Sequence, residues 1–178
     1  AGALAFALLL VGAGDVRPHA VVRPVAAQDL QLADGWTLRS ADGLRVDGSV
    51  LSSPNYDDGP NYDDGDWVPV RRMPATVLGV LQDAGVYPDL YYGKNLLTEV
   101  PQDLFRKDWW YRTTFTAPAD LVTYRLDLPG INYRADIWLN GHRVADARQI
   151  VGMYVGHQLD VTGWITPDEP NTLAVKVT

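Results

Sequence analysis

Residues 133–146 read YRADIWLNGHRVAD, two short runs of alternating character meeting at Asn140-Gly141. That dipeptide is the strongest short-range hairpin signal, because both central residues of a type I′ turn need positive φ. A strand over 133–139 and a returning strand over 142–146 follow from it. Outward from this hairpin the pattern repeats. WWYRTTF (109–115) is dense in aromatic and β-branched residues, and Pro118 closes it. TYRLDL (123–128) alternates cleanly, and GMYVGHQLDVT (152–162) and TLAVKVT (172–178) are joined through a turn at Pro167-Asp168-Glu169-Pro170-Asn171. GWTLRS (35–40) and WVPVRR (67–72) supply earlier strands, with Asp42-Gly43 and Asp47-Gly48 as tight turns. One stretch departs from this habit. In PATVLGVLQDAG (74–85), Val77, Leu78, Leu81 and Ala84 share a helical face, Pro74 suits a first turn and Gly85 suits a left-handed cap. The predicted fold is all-β: an antiparallel sandwich of roughly eight to ten strands with one short helix.

Composition supports that class. Gly 16, Pro 12, Tyr 9 and Trp 6 in 178 residues describe a turn-rich, aromatic-rich chain rather than a helix bundle. A net charge of −7 without any Lys/Arg cluster argues against a nucleic-acid partner. The absence of cysteine excludes disulfides and thiolate metal sites. AGALAFALLLVGAG at the start is an uncharged apolar run of about 14 residues, too short to span a bilayer comfortably, so no membrane partner is expected. It resembles the apolar core of a secretory signal peptide, with Val25-Ala26-Ala27 as a cleavage pattern and Ala13 as the competing site. Residues 1–27 are therefore set aside as a leader, clipped at its start, and residues 28–178 are taken as one domain of an exported protein. The chain reaches Thr178 inside an alternating strand pattern, so a longer parent is expected.

Little in the chain carries chemistry alone. His19, His142 and His157 show no ligand spacing. In PNYDDGPNYDDGDW (54–67) a hexapeptide occurs twice and the aspartates are adjacent, whereas a calcium loop needs alternating ligands and a closing Glu. A doubled spacer fits better than a metal site, and neither metal nor cofactor is expected. Deleting residues 60–65 is expected to leave melting temperature and calcium response unchanged, since halving a surface loop changes its closure entropy by only about 0.6 kcal/mol. Calorimetry with and without calcium checks this. Only two of the 22 acidic residues are glutamates, Glu99 and Glu169, and nothing places them in one cleft as paired hydrolytic carboxylates. The loop YPDLYYGKN (87–95) mixes aromatic rings with Asp, Lys and Asn, which suits a sugar ring with its apolar face and polar rim, and equally suits a loop that covers a core edge.

The segments WVPVRRMPATVLGVLQDAGVYPDLYYGKNL, FRKDWWYRTTFTAP, LPGINYRADIWLNGHRVA and NTLAVKVT, in this order, resemble the N-terminal sugar-binding domain of glycoside hydrolase family 2. Within it the resemblance is greatest to exo-β-D-glucosaminidases acting on chitosan, with β-mannosidases next; it covers about residues 34–178. It implies a jelly-roll, galactose-binding-like sandwich followed in the parent by an immunoglobulin-like domain and a (β/α)₈ barrel, which supplies both catalytic glutamates of a retaining mechanism. No catalytic residue is then expected in this chain. A loop of the N-terminal domain that reaches the barrel mouth corresponds here to PDLYYGKN, which makes Asp89, Tyr91, Tyr92, Lys94 and Asn95 the candidate contacts to a β-linked amino-sugar oligosaccharide. Asp89 would add negative potential beside a protonated amine. Trp109, Trp110, Tyr111, Trp138 and Asn140 also match the family's motifs, and packing and hairpin geometry are their implied roles.

Overall fold

A computed structural model describes residues 28–56, 67–119 and 121–178. The leader, most of the duplicated hexapeptide and His19 lie outside these residues. Eight strands occur among them: β1 (Trp36–Ser40), β2 (Val68–Val70), β3 (Trp109–Thr116), β4 (Arg125–Leu128), β5 (Ala135–Leu139), β6 (His142–Ala145), β7 (His157–Asp160) and β8 (Pro170–Val177). Six form one antiparallel sheet in the order β2-β1-β3-β8-β5-β6, and β4 pairs with β7 as a separate ribbon. The result is an uneven sandwich.

The central hairpin forms where the dipeptide places it. Asn140 and Gly141 take φ of 49° and 84°, and β6 returns along β5. Asn140 also joins the hairpin to β8. Its Nδ2 donates to the Trp164 carbonyl (2.7 Å) and to Asn171 Oδ1 (2.7 Å), and its Oδ1 accepts from the Thr172 amide (2.8 Å). Asn171 is fully buried and holds the 166–171 turn, accepting from the Thr166 amide and donating to the Thr166 and Glu169 carbonyls, each at 2.8 Å.

The six-stranded sheet is covered on both faces, which explains why β3 is buried at five successive positions. Trp109 and Tyr111 point with Leu38, Ile137, Leu139, Leu173 and Val175 into the main core, beneath β4, β7 and the helix α2 (Val77–Asp83). Trp110 points the other way, joining Leu51, Tyr56 and Ala174 in a second cluster. Full burial of each Leu or Ile contributes about 1.5–3 kcal/mol. Three arginine–aromatic stacks cross this second face: Arg39 over Trp67 (6.0 Å), Arg112 over Tyr56 (5.2 Å) and Arg143 over Trp138 (5.5 Å). Asp136 beside them binds Arg143 and the Ala147 amide.

Several local expectations are revised. Asp47-Gly48 does not make a hairpin turn; Asp47 caps α1 (Gly48–Leu51), its carboxylate accepting from the Ser49 (3.0 Å) and Val50 (3.3 Å) amides. That contact holds its carboxyl below the usual range, with the Ser49 side chain the largest cause. Helix α2 starts three residues after Pro74, because Thr76 Oγ1 caps the Gly79 amide (3.1 Å); it ends as expected, with Gly85 at φ 75°. Two further short elements, α3 (Asn95–Thr98) and a 3₁₀ turn (Gln102–Arg106), join the single helix expected. β2 is only three residues, an edge strand containing Pro69, which has no N–H for a further neighbour. The strand expected over 152–162 shrinks to β7, because Gly152 and Tyr154 have positive φ (120° and 59°) and form a turn instead.

Candidate functional site

The register sets which loops meet at one end of the sandwich. Trp109 lies opposite Val177, and Val177 opposite Ala135, so the start of β3, the end of β8 and the start of β5 share an edge. The segment 86–108, which carries all five candidate contacts, leads directly into that edge. It is pinned from below. Leu90, Val100 and Leu104 are buried in the main core, and the Leu104 carbonyl accepts from Trp109 Nε1 (3.3 Å). Lys107 ties the 3₁₀ turn to the end of β1, pairing with Asp103 (2.9 Å) and Asp42 (3.2 Å), and its hydrogen bond holds the Asp103 carboxyl below the usual range.

Between these anchors the loop has a defined shape. Asp89 Oδ1 accepts from the Tyr91 amide (3.0 Å), the Asp89 carbonyl accepts from the Tyr92 amide (3.2 Å), and Asn95 Nδ2 donates to the same carbonyl (2.7 Å). Gly93 takes φ 58°. The folded loop turns Leu90 inward and presents Tyr91 at 93% exposure and Tyr92 at 74%. Asp89 and Lys94 are exposed beside the rings. Thus the five residues share one turn, but they divide the work: Asp89 Oδ1 and the Asn95 amide hold the loop, while the Tyr91, Tyr92 and Lys94 side chains are exposed.

The same 86–108 segment also exposes two apolar residues that the sequence reading passed over. Leu97 and Phe105 are 81% and 66% exposed, and their only sequence signal is apolar character. A cavity of about 270 Å³ is lined by Gln28, Asp29, Leu30, Thr116 and Pro118, none of them a loop candidate. The Tyr91–Tyr92 loop projects into solvent and lines neither this cavity nor the one at Arg143–Gln149.

Hydrolytic chemistry has no assembled centre among the described residues. Glu99 caps the end of α3 and accepts from Thr98 Oγ1 (3.0 Å), whereas Glu169 lies in the turn held by Asn171. Burial pushes the Tyr111 phenol up to about 12, and its hydroxyl donates to the Ala75 carbonyl (3.3 Å), so it is neither acid nor base at neutral pH. His142 and His157 begin β6 and β7, and no group of three His, Asp or Glu could hold a metal ion among the described residues. Trp109, Trp110 and Tyr111 are buried packing residues, and Asn140 is a hairpin and network residue. Among the described residues no helix is long and apolar enough to cross a membrane.

Comparison with known proteins places the chain among glycosidases. An exo-β-D-glucosaminidase of Amycolatopsis orientalis is 35% identical over 143 residues, which cover 80% of this chain and 13% of the relative. The crystal structure of the exo-chitosanase CsxA from the same organism superposes with a TM-score of 0.70 at 33% identity, over 81% of this chain and 16% of that one. A mannosylglycoprotein endo-β-mannosidase of Lilium longiflorum is 28% identical over 152 residues, 82% of this chain and 15% of the relative. The chain thus spans about one-seventh of the length of these glycosidases. The family described as glycosyl hydrolase 2 galactose-binding domain-like matches residues 36–178, and the chain belongs to that family.

Proposed function

We propose that this chain is the N-terminal accessory domain of a secreted, retaining exo-β-D-glucosaminidase that removes terminal β-1,4-linked glucosamine from chitosan oligosaccharides. The observation that carries the reading is the projecting loop at Tyr91-Tyr92, held in shape by Asp89 and Asn95, in a chain about one-third identical to exo-β-D-glucosaminidases. Tyr91 and Tyr92 offer apolar platforms for a pyranose face. Lys94 reaches hydroxyls, and Asp89 supplies negative charge near the amine. The two catalytic glutamates belong to a barrel further along the parent, beyond an immunoglobulin-like domain. Export is supported by the apolar run at the start and by Val25-Ala26-Ala27.

The lily relative supports a second reading, a β-mannosidase parent. Assay of the full parent on aryl β-glucosaminide and β-mannoside separates the two. The expected outcome is kcat/KM at least about a hundredfold higher for the glucosaminide, a difference of about 2.7 kcal/mol in transition-state binding. A preference for the mannoside would replace the first reading with the second. The 178-residue chain alone is expected to release no glucosamine, and turnover by it would overturn the accessory-domain assignment.

A further inference from the structure

We infer that Asn140-Gly141 is a deamidation site held closed by the fold: the modification occurs only when the hairpin opens, and it then prevents the hairpin from closing. This is the sole Asn-Gly dipeptide in the chain, and the inference stands whichever sugar the protein serves. The chemistry needs only water and base. The Gly141 amide nitrogen, having lost its proton, attacks Asn140 Cγ. The new N–C bond closes a five-membered succinimide, and Nδ2 leaves as ammonia. Water then opens the ring to aspartate or isoaspartate. Glycine favours the step because no side chain crowds the attacking nitrogen.

In the folded chain the two reacting groups are held by different elements. The Gly141 amide donates to Ser52 Oγ (3.0 Å), and Ser52, fully buried at the end of α1, donates in turn to the Gly48 carbonyl (2.7 Å). The Asn140 side chain is held by β8 and the turn before it. Its Nδ2 donates to the Trp164 carbonyl and Asn171 Oδ1, and its Oδ1 accepts from the Thr172 amide. The Asn140 amide also donates to the Thr172 carbonyl (3.0 Å). For ring closure the side chain must swing onto the Gly141 nitrogen, so the bonds to both elements must break first. The rate of loss is then the rate in unfolded chain multiplied by the fraction of time the hairpin is open.

The product does not fit the place that the asparagine left. A carboxylate at this position puts an oxygen where Nδ2 stood, 2.7 Å from both the Trp164 carbonyl and Asn171 Oδ1, with no hydrogen between them. Asn171 cannot reverse its amide to help. Its Nδ2 is already held by the Thr166 and Glu169 carbonyls, and its Oδ1 by the Thr166 amide. Isoaspartate also lengthens the backbone of a two-residue turn. Deamidation therefore makes a transient opening permanent.

Ageing the full-length protein in mildly alkaline buffer, folded and in guanidinium chloride, tests this. Trypsin releases Ala135–Arg143, in which Asn140 is the sole asparagine, so mass spectrometry follows that residue alone. Deamidation in the folded protein is expected on the order of a hundredfold slower than in the unfolded one. Rates within about threefold of each other would overturn the inference. Ser52→Ala, which frees the Gly141 amide, is expected to raise the folded rate by about five- to tenfold and leave the unfolded rate unchanged. A folded rate that does not rise would show that Ser52 does not restrain the attack. Asn140→Asp makes the product directly and is expected to lower Tm by roughly 5 °C. An unchanged Tm would refute the claim that the modified hairpin cannot close.

Discussion

Asn171→Leu is expected to destabilise the domain by about 3–5 kcal/mol, lowering Tm by roughly 10–15 °C for a chain of this size. The side chain is fully buried and makes four hydrogen bonds, two accepted and two donated, at 2.7–2.8 Å. Leucine has the same branching and number of side-chain heavy atoms and leaves no cavity, so the loss comes chiefly from stranded partners. The Thr166 amide and the Thr166 and Glu169 carbonyls lose their partner at once, and Asn140 Nδ2 keeps only the Trp164 carbonyl. Buried polar groups left unmatched each cost about 1–3 kcal/mol. Thermal and urea unfolding read the effect directly. A loss below about 1 kcal/mol would show that water replaces the asparagine, and that the network is not what fixes β8 to the hairpin.

The second large effect is expected at Gly48. A Cβ there would lie 2.1 Å from Trp138 Cδ2 and 2.4 Å from two further ring atoms. Trp138 has little freedom to yield, because Trp110 packs against it at 5.2 Å and Arg143 lies over it at 5.5 Å. Gly48→Ala is therefore expected to destabilise by about 3 kcal/mol through overpacking, although alanine is the better helix former. Combining it with Trp138→Leu should recover part of that loss, since the smaller side chain removes the clash. Strict additivity of the two substitutions would show that the ring is not the obstacle.

Two glycine dipeptides, Asn140-Gly141 and Asp47-Gly48, mark where local sequence reading succeeds and where it stops. Asn140-Gly141 carries its conformation within itself, and the observed φ values agree with the turn expected from the dipeptide. The long alternating or aromatic runs became β1, β3, β5, β6 and β8 with boundaries shifted by only a residue or two. Asp47-Gly48 has the same appearance but a different cause. The aspartate caps a helix, and the glycine is required by a tryptophan 90 residues away, which no local pattern contains. In GMYVG the apolar residues resemble a strand, yet positive φ at Gly152 and Tyr154 turns their side chains outward. The candidate loop was legible as a composition, aromatic rings among Asp, Lys and Asn. That the Asn95 amide is used to hold the Asp89 carbonyl required the folded backbone.

The most direct test of the loop's role is Asp89→Asn in the full-length parent. Asparagine keeps the side-chain oxygen that accepts from the Tyr91 amide, so the loop retains its shape while losing one negative charge. If Asp89 faces the protonated amine of the terminal sugar, kcat/KM for a glucosaminide should fall about tenfold, equivalent to about 1.4 kcal/mol, while that for a neutral N-acetylated or mannose-configured substrate stays unchanged. Equal kcat/KM for the glucosaminide in the two proteins, with unchanged Tm, would contradict a contact between Asp89 and the sugar amine.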